Sequence, residues 1–163
     1  MELTGEKVVL RPLAEADAEA LRSIRKRPQV EEWWTPVEDD FPASDDPDST
    51  RLTILHEDEV AGLIQYGEET EPMYRHAWID IFLDPARHGR GLCTDAIRTL
   101  LRHLTEDLGH HRVTIDPTVG NDAALRCYER AGFERVGVMR RAERDWRTGE
   151  WRDAIFMEYV LLD

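Results

Sequence analysis

The 163-residue chain has only two cysteines, no long apolar run and fewer basic than acidic residues. Cys93 and Cys127 lack CxxC spacing, which predicts neither a disulfide framework nor a zinc site and fits a reducing compartment best. The six histidines are scattered and no HExxH motif occurs. We therefore expect no metal.

No apolar stretch approaches the roughly 20 residues that span a bilayer, so we expect no membrane segment. The first residues, Met-Glu-Leu-Thr-Gly-Glu-Lys, contain no basic region followed by an apolar one, so we expect no secretory signal. A cytoplasmic location is the expectation that follows. At 41% hydrophobic residues the chain can bury one core, and its length predicts a single domain over residues 1–163.

Acidic residues outnumber basic ones by 34 to 21, which makes the formal net charge −13. Nucleic acids and anionic membranes attract basic patches, so this balance argues against both as main partners. It favours a cationic partner, or simply a well-solvated surface.

The hydrophobic periodicity switches between strand and helix patterns along the chain and predicts an α/β fold. Strands are predicted at Lys7–Leu13, Arg51–His56, Val60–Tyr66, Tyr74–Leu83, Arg112–Ile115, Phe133–Met139 and Ala154–Leu161. Helices are predicted at Ala14–Arg27, Gly91–Leu108 and Asp122–Ala131, and a charged turn at Arg140–Arg152. The strands on either side of the helix Gly91–Leu108 should be parallel.

The stretch Val30–Thr50, called the acidic segment below, contains eight carboxylates and no Lys or Arg. Trp33, Trp34 and Phe41 lie among them, and three prolines prevent a long regular helix. We expect a short helix followed by an ordered loop.

A glycine-rich turn, His88-Gly89-Arg90-Gly91-Leu92-Cys93-Thr94, joins a predicted strand to the longest predicted helix. Two glycines let the backbone turn closely, and the N–H groups at the helix start then face outward, where they can hold a phosphate group. The turn matches neither the Walker A nor the Rossmann pattern. Taken alone, such a turn is more often a tight connection than a phosphate site.

Asn121 and Tyr128 are seven residues apart, two helical turns, so they lie near one face of a predicted helix. Asn121 also suits a helix N-cap, and Tyr128 suits a core aromatic residue with a satisfied hydroxyl. For either residue alone, a purely structural role and a role in a functional site both remain open.

Taken together, the two sites resemble the GCN5-related N-acetyltransferase (GNAT) superfamily. Its glycine loop, Gln/Arg-x-x-Gly-x-Gly/Ala, matches with His88 in place of Gln or Arg and Cys93 in place of the small last residue. Its signature Asn-x-x-Ala-x-x-x-Tyr-Glu-x-x-Gly-Phe matches at Asn121, Ala124, Tyr128, Glu129, Gly132 and Phe133. The resemblance covers nearly the whole chain and implies an enzyme that uses acetyl-CoA.

The chain further resembles the aminoglycoside 6′-N-acetyltransferases, which carry Glu-Trp-Trp after the first helix, as Glu32-Trp33-Trp34 does here. They also carry a strand of the form Ile-Asp-x-x-Leu, as in Ile79–Leu83, and a Thr-Asp-Pro that Ile115-Asp116-Pro117 nearly repeats. Asp39–Ser49 and Arg140–Arg152 have no clear counterpart. This resemblance implies acetyl transfer to the 6′-amine of a cationic antibiotic, and hence resistance to it.

The family resemblance implies the GNAT fold, a mixed twisted sheet of about seven strands with helices on both faces. Its two central parallel strands splay apart, and acetyl-CoA would lie between Trp78–Leu83 and Arg112–Ile115. The residues expected to contact it are Ile81, Phe82, Leu83, His88, Gly89, Arg90, Gly91, Leu92, Cys93, Thr94, Asn121, Ala124 and Tyr128.

Asp80 lies in an otherwise apolar strand, where a buried carboxylate needs a partner. It makes either a structural hydrogen bond or a contact with the attacking amine, and the resemblance implies the second role, which Asp116 could share. A carboxyl pKa of ~3.9 favours orientation or proton relay over direct abstraction, unless burial raises that pKa. Tyr128 is expected to protonate the departing thiolate, and backbone N–H near Ile81 or Phe82 to hold the thioester oxygen.

Carboxylates and aromatic faces are expected to recognise the cationic acceptor. The residues assigned to it are Trp33, Trp34, Asp39, Asp40, Asp80 and Asp116. Alternatively, the acidic segment is a solvated lid whose tryptophans fill the core. A lysine-type siderophore side chain, a polyamine or a protein N-terminus remains open as the acceptor, as does a non-catalytic acyl-CoA-binding role. Both a monomer and a homodimer are compatible with the sequence.

Overall fold

The computed structural model describes residues 1–43 and 46–162, and its eight strands form one mixed sheet in the order β1-β2-β3-β4-β5-β6-β8-β7. The strands are β1 Leu3–Thr4, β2 Val8–Pro12, β3 Thr50–His56, β4 Glu59–Glu69, β5 His76–Leu83, β6 Arg112–Ile115, β7 Glu134–Arg144 and β8 Trp151–Val160. The helices are α1 Ala18–Arg25, α2 Pro28–Glu31, α3 Leu92–Arg102 and α4 Asp122–Ala131. The predicted α/β class is confirmed. The sheet has one strand more than the seven expected, because β1 has only two residues and is too short to show a sequence period.

Helices cover both faces of the sheet, as predicted. Ile64 and Ile81 are paired across β4 and β5 and belong to the apolar cluster that includes the buried faces of α3 and α4. The next pair along these strands, Leu63 and Phe82, belongs to the cluster with Leu21 of α1. Because alternate strand residues point to opposite faces, the two clusters lie on the two sides of the sheet.

The two longest predicted helices are shorter in the structure than in the sequence pattern. The first begins with a 3₁₀ turn at Glu15–Asp17, because the Asp17 carboxylate accepts a hydrogen bond from the Ala14 N–H and pairs with Arg11 at 2.7 Å. α3 ends at Arg102, and a π-helical turn, His103–Asp107, carries the chain on.

The central strands β5 and β6 are parallel and pair at two positions, Ala77 with Val113 and Trp78 with Thr114. Past these pairs β5 continues as Ile79–Leu83 with β4 on its other side, so its edge toward β6 is left open. This is the predicted splay, and it creates a cleft at the middle of the sheet.

The last two strands are longer than predicted. β7 and β8 extend through most of Arg140–Arg152, so the prediction of a long charged turn there was wrong. Register shifts near Gly137 and between Met139 and Glu143 break the alternation of side chains. The sequence of this strand therefore lacks the alternating pattern that predicts a strand. We call residues 134–160 the β7–β8 hairpin.

The acidic segment begins within the short helix α2, as expected, and its described residues 32–43 and 46–49 lie outside helices and strands. Arg22 of α1 holds it by donating hydrogen bonds to the backbone carbonyls of Glu38, Asp39 and Phe41. Asp45, one of its eight carboxylates, lies outside the described residues. Among the described helices, none is long and apolar enough to span a bilayer.

Candidate active site

The open edge of β5 borders a cleft of about 540 Å³. Most of the residues assigned to acetyl-CoA line it, namely Ile81, Phe82, Leu83, His88, Gly89, Gly91, Leu92, Cys93, Thr94, Asn121, Ala124 and Tyr128. Arg90 does not line it; its carbonyl instead accepts a hydrogen bond of 2.8 Å from Lys7 Nζ. The structure therefore brings together strand, loop and helix residues that are up to 47 positions apart.

The glycine loop has the geometry that a phosphate-binding turn requires. Gly89 and Gly91 have φ of 79° and 76°, the left-handed region that side chains with a Cβ rarely adopt. Gly91 precedes α3 without a side-chain cap, so the first N–H groups of the helix have no capping partner from it. Such N–H groups, together with the helix dipole, suit an anion.

Three arginines that were not assigned to the cofactor from the sequence also line the cleft. They are Arg126, Arg130 and Arg87, the last of which also pairs with Glu59 at 2.9 Å. Cationic side chains beside a phosphate-binding turn fit the pyrophosphate and 3′-phosphate groups of coenzyme A. The residues present therefore suit the cofactor that the sequence resemblance implies.

Cys93 and Cys127 are joined by a disulfide between α3 and α4, which corrects the prediction that they form no such bond. Their Cα atoms are 6.3 Å apart, although 34 positions separate them along the chain. The packing of α3 beside α4 brings them together, and linear spacing carries no information about that packing. Both residues line the cleft.

Asn121 and Tyr128 have structural roles in α4 and also border the cleft. Asn121 caps α4, its side-chain oxygen accepting a hydrogen bond from the Ala124 N–H at 3.4 Å. Tyr128 is buried, with its ring 6.4 Å from that of Phe133. Yet both residues also line the cleft and a second cavity beside it.

This second cavity, of about 300 Å³, is called the acceptor cavity below. Trp33, Trp34, Ile81, Asn121 and Tyr128 line both it and the cleft, so the two spaces meet at these residues. Three carboxylates lie in its wall, those of Asp80, Asp116 and Glu143.

The two neighbouring tryptophans, Trp33 and Trp34, are half-buried and line both spaces. Trp34 packs edge-on against Phe82 with ring centres 5.1 Å apart, and it also faces the acceptor cavity. By contrast, Asp39 and Asp40 are exposed and line neither of the two spaces, because Arg22 holds this part of the loop against α1. The structure does not bring these two carboxylates to the predicted acceptor site.

Burial first, and then the nearby charge of Asp116, raise the pKa of Asp80 to about 7, and a hydrogen bond from Gln65 opposes them in part. The pKa of Asp116, which is more open to solvent, is raised by desolvation at the cavity wall and then by the charge of Glu143. Burial, followed by the charges of Asp80 and Asp116, raises the pKa of Tyr128. The site thus holds a carboxylate poised near neutral pH beside a phenol that stays protonated.

Glu143 is a carboxylate of the acceptor cavity that the sequence did not predict. It lies on β7 inside the stretch predicted as a turn, and it accepts hydrogen bonds from the Thr118 hydroxyl and, at 3.0 Å, from Arg152. Its position beside Asp116 arises from the β7 register shift, for which the sequence has no local signal.

Comparison with known proteins identifies the family. The model of the acetyltransferase (GNAT) family matches residues 14–133, and the chain belongs to this family. The predicted resemblance is therefore confirmed, and the chain is an acetyl-CoA-dependent N-acetyltransferase. Among the described residues no group of three or more potential metal ligands occurs.

The similar proteins include acetyltransferases named for two kinds of amine. The chain is 29% identical over 159 residues to aminoglycoside N(6′)-acetyltransferase type 1 of Klebsiella pneumoniae, covering 83% of this chain and 78% of that protein. It is 24% identical over 163 residues to spermidine N(1)-acetyltransferase of Escherichia coli (strain K12), covering 94% and 86% of the two chains. A solved structure of AAC(6′)-Ib with ribostamycin and coenzyme A is similar at a TM-score of 0.76 and 27% identity, over 95% of this chain and 94% of that one.

Proposed function

We propose that the chain transfers the acetyl group of acetyl-CoA to the 6′-amine of an aminoglycoside, directly and within a ternary complex. The observation that carries this proposal is the acceptor cavity, in which Asp80, Asp116 and Glu143 meet beside two tryptophans at the end of the cofactor cleft. Solved structures of AAC(6′)-Ib that resemble this chain hold ribostamycin or kanamycin. A polycationic sugar fits a wall of carboxylates and aromatic rings.

The carboxylates provide enough attraction for the affinity that such an acceptor needs. One ammonium–carboxylate contact at 4 Å contributes about 1 kcal/mol in water and about 4 kcal/mol at an effective dielectric constant of 20. Two or three contacts between these limits supply most of the roughly 8 kcal/mol of a micromolar complex. Trp33 and Trp34 add ring faces on which a sugar or an ammonium group can pack.

Asp80 is the proposed proton acceptor. The incoming ammonium group must lose a proton before its nitrogen can attack, and a carboxylate with a pKa of about 7 takes that proton far more readily than an ordinary one. Burial therefore meets the condition under which sequence reasoning allowed direct abstraction. Asp116 lies in the same wall, raises this pKa and could share the task of orienting the amine.

Tyr128 is the proposed acid. Tyr128 is buried where the two spaces meet, and its raised pKa keeps the phenol protonated at neutral pH, so that the proton is present when the thiolate departs. Acetyl-CoA, when bound, supplies the thioester-activated acetyl group. The glycine loop, the start of α3 and the three cleft arginines would hold its phosphates, and the open edge of β5 near Ile81 and Phe82 would offer N–H groups to the thioester oxygen.

A polyamine is the second candidate acceptor. The spermidine acetyltransferase described above matches 94% of this chain, and spermidine also carries several ammonium groups. The acidic cavity suits either compound, so the cavity alone does not separate them. We place the reaction in the cytoplasm, where acetyl-CoA is available.

The discriminating experiment is release of free coenzyme A thiol from acetyl-CoA across a panel of amines. Neomycin and paromomycin form a matched pair, because paromomycin has a hydroxyl in place of the 6′-amine of neomycin. We expect turnover with kanamycin, tobramycin and neomycin, and little with paromomycin, hydroxylysine or peptides. Turnover confined to spermidine would establish the polyamine alternative, and acetyl-CoA binding with no turnover on any amine would indicate a non-catalytic module.

A further inference from the structure

The tip of the β7–β8 hairpin is fastened to the acidic segment by two hydrogen bonds. Trp146 Nε1 donates to the Trp34 carbonyl oxygen at 3.0 Å, and Arg152 Nη1 donates to the Glu32 carbonyl oxygen at 2.9 Å. Both accepting residues follow α2. Glu32 lines the cofactor cleft, and Trp34 lines both the cleft and the acceptor cavity. Contacts across more than 110 sequence positions therefore hold the backbone that carries Trp33 and Trp34, which line the acceptor cavity.

Arg152 makes further contacts at the same place. Its Nη2 donates to Glu143 Oε1 at 3.0 Å, its Nη1 lies 3.4 Å from Asp145 Oδ2, and its guanidinium carbon lies 5.4 Å from the centre of the Trp33 ring. A planar guanidinium has five N–H donors in a fixed fork and can also stack on a ring, which a lysine cannot do at once. One side chain thus links the hairpin, the acidic segment and a cavity carboxylate.

The contact with Glu143 has a consequence for the cavity. Both hydrogen bonds that Glu143 accepts, from Thr118 and from Arg152, use the oxygen Oε1. This arrangement fixes the carboxyl group and leaves Oε2 for a cation in the cavity. The guanidinium also offsets part of the negative charge that Glu143 adds beside Asp116 and Asp80.

We propose that Arg152 is a positioning residue for the acceptor: it holds the Glu143 carboxylate in the cavity wall and fixes the Glu32–Trp34 backbone against the hairpin. The cation that the cavity would then bind is the aminoglycoside acceptor, so in this respect the inference rests on the proposed function. Its own role is to preform the wall. Binding then does not have to order the acidic segment, so acceptor affinity is higher than a loose segment would allow.

The hairpin contains a matched control. Arg144 also lies near the tip, but its side chain donates to the Gly149 carbonyl oxygen at 3.3 Å within the hairpin turn. Among the described contacts, this side chain has none with the acidic segment or with the Glu143 carboxylate. Arg144→Met therefore removes the same side chain from the same element without removing the proposed function of Arg152.

The kinetic experiment compares Arg152→Met, Arg152→Lys and Arg144→Met with the native enzyme. For Arg152→Met we expect the acceptor KM to rise about tenfold, the size that loss of one partly exposed ion pair and a hydrogen bond predicts. The kcat and the KM for acetyl-CoA should change less than about twofold, and Arg152→Lys should recover part of the loss. Adding Glu143→Gln to Arg152→Met should increase the acceptor KM by less than the product of the two single effects, because the residues act on one contact.

Hydrogen–deuterium exchange of the acetyl-CoA complex tests the same inference without any acceptor. Peptides covering residues 28–43 should exchange faster in Arg152→Met than in the native enzyme, and at the native rate in Arg144→Met. Unchanged exchange and an unchanged acceptor KM in Arg152→Met would overturn the proposal, as would equal effects in Arg144→Met. If the native enzyme acetylates no aminoglycoside but the exchange pattern holds, the proposed function fails while the role of Arg152 stands, and spermidine becomes the acceptor for the kinetic arm.

Discussion

Replacing Asp80 by asparagine should abolish most of the activity and, above neutral pH, make the folded chain more stable. The carboxyl pKa of Asp80 is raised from 3.8 to about 7, first by burial and then by the charge of Asp116. A buried carboxylate therefore weakens the fold whenever it is ionised. The amide of Asp80→Asn has nearly the same shape and cannot ionise, so it removes that penalty together with the proton acceptor.

The sign and the pH window follow from the two pKa values. Below about pH 4 the carboxyl group is protonated in the folded and in the unfolded chain, and it has no effect on pH dependence. Between about pH 4 and pH 7 the unfolded chain loses the proton that the folded chain keeps, so native stability falls as pH rises. Above about pH 7 the penalty is constant and amounts to roughly 4 kcal/mol at most, less where water enters the cavity.

Urea unfolding at pH 5 and pH 8 measures this difference. We expect the free energy of unfolding of Asp80→Asn, relative to the native chain, to increase between these pH values. Asp58→Asn is the control, because Asp58 is an exposed residue of the β3–β4 turn with φ of 64°, which asparagine also tolerates. It should show no such trend.

Steady-state kinetics supply the second measurement. The kcat/KM of the native enzyme should fall as pH drops below about 7, because protonation of Asp80 removes the base. Asp80→Asn should lose about 10²-fold or more in kcat. Unchanged kinetics, or a stability difference that does not vary with pH, would refute the reasoning and make Asp80 a structural residue.

Three other predictions concern the rest of the site. Tyr128→Phe should lower kcat by about 10²-fold or more while changing the KM for acetyl-CoA little, since the phenyl ring keeps the packing and only the proton donor is lost. The acceptor KM should rise steeply between about 0.05 and 0.5 M salt, because screening weakens carboxylate–ammonium attraction, whereas the KM of a variant carrying Glu143→Gln should depend on salt less. Reducing the Cys93–Cys127 disulfide should lower the free energy of unfolding by up to about 4 kcal/mol, the loop entropy of a 34-residue separation, and Cys93→Ser should not respond to reductant.

Each of these has a clear contrary result. Near-normal turnover of Tyr128→Phe would remove the phenol from the mechanism. An acceptor KM that is independent of salt would contradict electrostatic recruitment. Equal melting temperatures with and without reductant would show that the disulfide contributes nothing measurable.

Local chemistry made several parts of the molecule predictable. β6 and α4 have the predicted bounds, because a short β-branched run and a helix with an Asn cap and a Gly stop are encoded within a few residues. The glycine loop and the Asn121–Tyr128 pair are likewise patterns of residue type and spacing within one turn or one helix. The roles of Asp80 and Tyr128 came from the family resemblance and stay predictions.

Other parts depended on which segments meet in space. Glu143 enters the acceptor cavity through a register shift in β7, and the cysteines are joined because α3 packs beside α4. Asp39 and Asp40 are held outside the cavity by an arginine from α1. Even the pKa of Asp80 depends on a carboxylate from another strand end, because burial and charge coupling act through space and leave no trace in the order of the residues.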